Sequence, residues 1–361
     1  MICFLDEYYR IIQLKEDATM ATMKEIAILA GVSRGTVDRV INNRGSVHPE
    51  TEKRIRELIK SANYSPNLAG KNLAVRKKKL KFGFIHFDVI DKNSFFSDVL
   101  DGVESRAAEL SAFGVTVQTR ESGVYEPERQ VECIDELIKD GINGLVITPI
   151  SHPVVANKLR EITSAGIPVV TSNSDIFDCG RIAYVGSNYY KNGETAAGLM
   201  NLICNGSANI GIISGSPDVL CDSERIGGFS DCASVHYPML KIVDIATHND
   251  FDENSYASTI EMLTKHPEIN ALYITAAGVS GVCQAVRELD MVGKLKIVSF
   301  DATIPICQHV KDGIVTVTIA QQPQLQGALP LDILLNYLNM GTLPEKELNY
   351  TEIEIKIKEN I

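Results

Sequence analysis

The 361-residue sequence lacks the marks of several large protein classes. No apolar run approaches the ~18 residues that a membrane span needs. The opening stretch, Met1–Arg10, has no basic start, and acids interrupt its short apolar run, so it does not read as a secretory signal. A cytoplasmic protein is expected. Disulfide and zinc frameworks are missing too. The eight cysteines are Cys3, Cys133, Cys179, Cys204, Cys221, Cys232, Cys283 and Cys307, and no two stand at C-x-x-C spacing. The seven histidines form no H-x-x-x-H or H-x-x-E pattern. The thiols read as reduced, small hydrophobes. No metal and no other cofactor is expected.

The loops that serve common enzyme chemistries are also wanting. No G-x-G-x-x-G follows the first apolar run, where the chain reads Phe87-Asp88-Val89-Ile90-Asp91. There is no G-x-x-x-x-G-K and no G-x-S-x-G; Gly211-Ile212-Ile213-Ser214-Gly215 has the wrong spacing for a nucleophile. Dinucleotide, phosphate and acyl-transfer chemistry each need such a loop. An α/β enzyme is therefore the weaker reading, and the chain is expected not to be one.

What the sequence has is a sharp division of charge. Its net charge of −11, taken as one sum, argues against nucleic acid, which wants a basic face. That sum averages unlike parts. Residues 1–19 carry −2, residues 20–81 carry +9 and residues 82–361 carry −18. The run Arg76-Lys77-Lys78-Lys79, closed by Lys81, stands at the junction. A small basic head on a large acidic body points to a nucleic-acid contact at one end.

The head reads as three short helices. Met23, Ile26, Ala27 and Ala30 recur at helical spacing and end at Gly31. Ser33 has the chemistry of an N-cap, with Val32 and Val37 placed as a hydrophobic staple. Val37, Val40 and Ile41 give a second helix its inner face. A third begins at Pro49 with Glu50 and Glu52 in its first turn, and continues through Ile55, Leu58, Ile59 and Ala62. This is a helix-turn-helix arrangement. The outward face of the second helix carries Arg34, Gly35, Asp38, Arg39 and Asn42. Such a helix start reads base edges in the major groove: Arg34 or Arg39 can offer a guanidinium fork to guanine, and Asp38 can accept from cytosine. The alternative is a solvated face on a protein-binding bundle; the +9 charge favours DNA. Residues 67–75 are too short to be a stable helix alone, and would fold only on DNA, with Leu73 as a minor-groove wedge; a plain linker is the alternative.

After residue 81 short apolar runs alternate with longer amphipathic ones. One series runs from Phe82–Phe87 to Val169–Ser172, and a second from Asn209–Ser214 to Val315–Ala320. Such alternation predicts parallel sheets covered by helices, here as two α/β lobes. A ligand would bind beyond the carboxyl ends of the strands, between the lobes.

The ordered combination of Ala30-Gly31-Val32-Ser33-Arg34-Gly35-Thr36-Val37-Asp38-Arg39-Val40, Asn63-Tyr64-Ser65-Pro66-Asn67 and Leu73-Ala74 resembles the lactose-repressor-type (LacI/GalR) family of transcription regulators. The resemblance implies major-groove roles for Arg34, Gly35, Asp38 and Arg39. It implies backbone contacts for Ser33, Thr36, Asn42 and Thr51, and minor-groove insertion for Leu73. Residues 81–361 are similar to the sugar-sensing core of that family, the fold of ribose-binding-type periplasmic proteins. Asn93-Ser94-Phe95-Phe96, Arg225-Ile226-Gly227-Gly228-Phe229, Asn249-Asp250-Phe251, Phe300-Asp301 and Ala320-Gln321-Gln322 match its ligand segments. By resemblance the effector contacts are Asn93, Phe95, Phe96, Asn173, Arg225, Phe251, Asp301 and Gln321. Aromatic faces suit the C–H side of a sugar, and fork-like polar groups suit its hydroxyls.

Two departures stand out. The Asp-Arg of the ribose type is here Asn173-Ser174, and its Asn-Asp is here Ala276-Ala277. Both remove charge or hydrogen bonds, pointing away from ribose towards another sugar, a cyclic polyol or a less hydroxylated derivative. The expected organisation is a leader over 1–19, lying outside the resemblance and preceding a start at Met20 or Met23. A helix-turn-helix domain follows over 20–66, a hinge helix and basic linker over 67–80, and a two-lobed effector domain over 81–361. No leucine heptad follows Glu347, and Tyr350–Lys358 alternates like a strand. The expectation is a homodimer on a near-palindromic operator, without a tetramer tail. A sugar-binding protein serving a transporter shares the body, but should have an export signal and no basic head.

Overall fold

The computed structural model describes residues 23–41, 47–61, 79–87, 94–216 and 219–361. They fall into two compact units, one of the described residues before Lys79 together with Leu338–Thr342, the other of the described residues in Lys79–Tyr337 and Leu343–Ile361.

The head consists of α1 (Met23–Ala30), α2 (Arg34–Ile41) and α3 (Pro49–Ser61). Ile26, Ala27, Ala30, Val37, Val40 and Ile55 form its core, and Val32 packs against them. Gly31 ends α1 with a φ of +61°, a left-handed turn that lets Val32 N–H reach back to Ala27 O at 3.0 Å. Ser33 then starts α2: its Oγ accepts from Thr36 N–H at 3.1 Å, as an N-cap should.

The body holds two six-stranded sheets. The first is built from β1 (Lys81–Phe87), β2 (Thr116–Ser122), β3 (Gly144–Ile147), β4 (Val169–Ser172) and β5 (Ala183–Gly186), interleaved with α4 (Ser94–Ser111), α5 (Pro127–Lys139) and α6 (Pro153–Ser164). Helix α7 (Tyr189–Ile203) leads into the second lobe. That lobe contains β6 (Ala208–Ser214), α8 (Leu220–His236), β7 (Leu240–Thr247), α9 (Asp252–Lys265), β8 (Ala271–Ile274), α10 (Val279–Glu288), β9 (Lys296–Phe300), α11 (Ile304–Lys311) and β10 (Val317–Ala320). Helix α12 (Pro323–Met340) returns to the first lobe, where Asp332 pairs with Arg106 of α4 at 2.6 Å. The short β11 (Leu348–Tyr350) adds to the first sheet, and β12 (Glu354–Lys356) to the second.

The strand orders are β11-β5-β4-β3-β1-β2 and β12-β10-β9-β8-β6-β7. The two lobes thus share one topology. The strand pairs are parallel except β10 with β12, where Ile319 faces Ile355. The central strands are buried on both faces, as apolar runs between two helix layers require. Ile85, Leu137, Ile147 and Val155 lie in the first lobe's core. Phe229, Tyr273 and Phe300 lie on one side of the second sheet, and Val282, Val286, Ile297 and Val310 on the other. Each such burial contributes roughly 1.5–3 kcal/mol.

The chain passes between the lobes after β5, after β10 and after β11. The alternation of strand and helix bears out the two α/β lobes. Three elements extend it. Strand β5 is four residues long, too short to show a period. Helix α7 contains Gly193 and Gly198, which weaken a helical pattern. Gly193 is there for packing, because a Cβ would collide with the Arg225 carbonyl of α8. Helix α12 persists through Pro330. The alternating stretch 350–358 is not one strand: β11 ends at Tyr350, and β12 joins the other sheet.

Candidate nucleic-acid interface and effector site

On α2 the two faces separate cleanly. Val37 and Val40 are buried, while Ser33, Arg34, Gly35 and Arg39 are exposed and Thr36 and Asp38 are partly so. Thr51 is partly exposed in the first turn of α3. Oγ of Ser33 lies 2.9 Å from Oγ1 of Thr36, so both hydroxyls serve the helix start. Asn42, Leu73 and Asn93 lie outside the described residues, as do residues 1–19 and most of the hinge.

In the body, a cavity of about 110 Å³ opens beyond the carboxyl ends of the strands. Each lobe supplies residues at strand ends or within three residues beyond them. Phe87 ends β1, Asn173 follows β4, Asp250 follows β7, Ala276 follows β8, Asp301 follows β9 and Gln321 follows β10. From the first lobe, Phe96 meets Phe87 and Phe95 edge-on, at 5.7 and 5.3 Å between centroids. From the second, α8 presents Arg225, which is 3% exposed. Its guanidinium lies 3.7 Å from the centre of the Phe300 ring and 5.0 Å from that of Tyr189.

Polar groups complete the wall. Gln321 Nε2 donates to Asp301 Oδ1 at 2.7 Å. Gln326 of α12 donates to the Gln321 carbonyl, and its own side-chain oxygen accepts from Asn173 at 3.0 Å. Asp222 accepts from Ser216 N–H at 3.0 Å and from the Thr275 hydroxyl at 2.9 Å. Two buried polar atoms here have no hydrogen-bond partner among the described residues: Arg225 Nε, a donor, and Gln321 Oε1, an acceptor. Burial raises the pKa of Asp222 and of Asp301. Burial, and then the charge of Asp222, raise Asp250 to about 6.

The cavity thus brings together Phe95, Phe96, Asn173, Arg225, Asp301 and Gln321. Phe251 is not among the residues that line the cavity. Asn249 and Asp250 both take left-handed φ, at 52° and 67°, and this turn directs Asp250 inward while Phe251 leads into α9. Sequence reasoning also missed Asp222 and Tyr189. Asp222 lies one helical turn before Arg225 on the same face, a legible signal. Tyr189 had none, because its helix was not expected. The expected loss of charge is likewise only partial: Asn173-Ser174 and Ala276-Ala277 are uncharged, but Asp222 and Asp250 are added.

A helix-turn-helix head and a two-lobed α/β sensor with a cavity between its lobes define a ligand-responsive regulator. Residues 22–67 match the lacI family of bacterial regulatory proteins, and residues 88–342 match the periplasmic binding protein domain. The chain belongs to the lacI-type regulators built on a periplasmic-binding-protein domain. It is 26% identical over 325 residues to catabolite control protein A of Staphylococcus epidermidis, covering 88% of this chain and 92% of that one. It is 26% identical over 340 residues to the ribose operon repressor of Escherichia coli, covering 92% and 98%. A solved solute-binding protein of an ABC transporter from Burkholderia graminis, in complex with D-arabinose, is similar with a TM-score of 0.72 at 25% identity, over 78% of this chain and 96% of that one. Among the described residues, no helix is long and apolar enough to cross a membrane.

Proposed function

We propose that this chain is a cytoplasmic repressor of carbohydrate-related genes, acting as a homodimer on a near-palindromic operator. Residues 20–66 read the DNA, 67–80 form the hinge, and 81–361 sense a small sugar or polyol between the lobes. Arg34, Gly35, Asp38 and Arg39 face the bases, and Leu73 opens the minor groove. The effector acts by binding the open and closed lobes with different affinity, which biases the heads and hinge. The chain performs no catalysis.

One observation carries the sensor half of this reading. Arg225 Nε and Gln321 Oε1 are buried without a hydrogen-bond partner among the described residues, on two side chains that line the same cavity. An unpaired buried polar atom costs about 1–3 kcal/mol. A polyhydroxylated molecule stacked beside Phe95 and Phe96 offers an acceptor to the first and a donor to the second. The similarity to the ribose operon repressor and to the arabinose-bound solute-binding protein supports that ligand class. The test is a thermal-shift screen of pentoses, hexoses and polyols, followed by operator mobility shifts with each hit. A hit raises the melting temperature by mass action and changes operator affinity. Hits that leave operator affinity unchanged would sink the regulatory reading.

A further inference from the structure

Three carboxylates line the cavity, Asp222, Asp250 and Asp301, against one cation among the described lining residues, Arg225. Burial raises the pKa of all three, Arg225 acts electrostatically on each, and Asp301 also accepts from the Gln321 amide. Asp222 also accepts from Ser216 N–H and the Thr275 hydroxyl, yet three carboxylates against one guanidinium give the cavity an excess of negative charge when they are ionised. Asp222 and Asp250 also stand close together. The point where a Cβ on Gly215 would sit is 2.6 Å from Asp222 Oδ2 and 2.7 Å from Asp250 Oδ1. Only glycine leaves room for both oxygens there. Ala276, 3.0 Å from the same point, brings only a methyl group, while the next residue, Ala277, donates its backbone N–H to Asp250.

We propose that the effector carries a protonated amino group, as an amino sugar or amino-substituted polyol does, and that Asp222 and Asp250 hold that group. This rests on the reading of the cavity as the effector site. Two desolvated carboxylates facing each other are costly unless a proton or a cation sits with them. An ammonium supplies the charge and three donors together. Gln321, 4% exposed, has a side-chain oxygen without a partner among the described residues and is a further acceptor. The rings of Phe87, Phe95 and Phe96 suit the ligand's C–H face and tolerate a nearby cation. Phosphorylated and acidic sugars are disfavoured by the same charge excess. The groups facing Asp250 are Asp222, Cys221 and Arg225 of α8, Tyr125 after β2, and His248 after β7.

Calorimetric titration of the full chain in EDTA at pH 7.5 tests this with matched probes: D-glucosamine against D-glucose, D-galactosamine against D-galactose, D-mannosamine against D-mannose, and 1-amino-1-deoxy-D-sorbitol against sorbitol. The expected result is that in at least one pair the amine binds about tenfold tighter or better, and that N-acetylation abolishes the gain. That amine's affinity should fall from pH 7.5 to pH 5 as Asp250 takes a proton. Asp250→Asn, close in shape to the parent, should bring the ratio within the pair towards one; Asp222→Asn is the second variant, and unchanged melting of the free proteins shows that both fold. Tighter binding by the neutral member of every pair that binds overturns the amine assignment and leaves the sensor reading standing. No binding by any probe counts against both.

Discussion

Arg225 concentrates the chemistry of the cavity because its charge is buried between rings and its Nε is unpartnered. Replacing it should remove effector response and leave the separate DNA-reading face untouched. Arg225→Ala is expected to bind operator like the parent but to need at least tenfold more of any effector; a wild-type dose response would refute this. Arg39→Ala, on the exposed face of α2, should do the reverse, losing specific DNA binding while keeping the effector-induced rise in melting temperature. Two groups, buried His248 and half-buried Asp250, set opposed pH dependences. Burial lowers the pKa of His248 to about 4, below its ordinary 6.5, so acidification from 6.5 to 4 withdraws stability. Asp250, raised to about 6 from 3.8, contributes stability below 3.8 and loses it as pH rises through 6. Between pH 4 and 6 the two offset each other. Asp250→Asn should therefore lose about 2 kcal/mol more than the parent as pH falls from 6 to 4, since one unit is worth about 1.4 kcal/mol. Urea unfolding at stepped pH measures the difference; parallel curves would rule out the opposition.

At the scale of elements, start signals and close approaches decide stability. The Ser33 cap holds the first turn of α2. Ser33→Ala should cost the head about 1 kcal/mol and weaken operator binding with no effect on effector affinity; equal melting of the head would argue against the cap. The α7–α8 contact depends on Gly193, where a Cβ would strike the Arg225 carbonyl. Gly193→Ala should lower the melting temperature of the body and weaken effector binding together, because it shifts the helix that carries Arg225. Calorimetric melting and titration of one sample check both. The same contact explains a limit of sequence reading. Gly193 weakens a helix when judged locally, and only the neighbouring α8 makes it favourable. The head was legible for the opposite reason: Gly31, Ser33 and Pro49 act within one turn of their own helices. The cavity was legible where a residue stands right after a strand, as Asp301 and Gln321 do. After β7 it was less legible, because two left-handed residues, Asn249 and Asp250, separate the strand from α9 and Asp250 is the one that lines the cavity.

For the whole molecule, the relevant quantity is the division of charge, +9 over residues 20–81 and −18 over residues 82–361. The acidic part repels the phosphate backbone and leaves contact to the basic part. Operator affinity should therefore fall steeply with salt, by roughly a thousandfold between 50 and 200 mM for six phosphate contacts. Filter binding across that range gives the slope, and a flat response would contradict a phosphate-gripping head. The sequence by itself determined this split, the three-helix head, the two alternating α/β series and the strand-end positions of Asp301 and Gln321. These depend on composition and on spacings of a few residues, which no partner element can alter. Only the tertiary structure decided that α12 and β11 return to the first lobe while β12 joins the second. Only it brought Asp222, Asp250, Arg225 and Gln321 around one cavity with two polar atoms unpaired. Such meetings depend on long-range packing and on backbone turns that local periodicity does not encode.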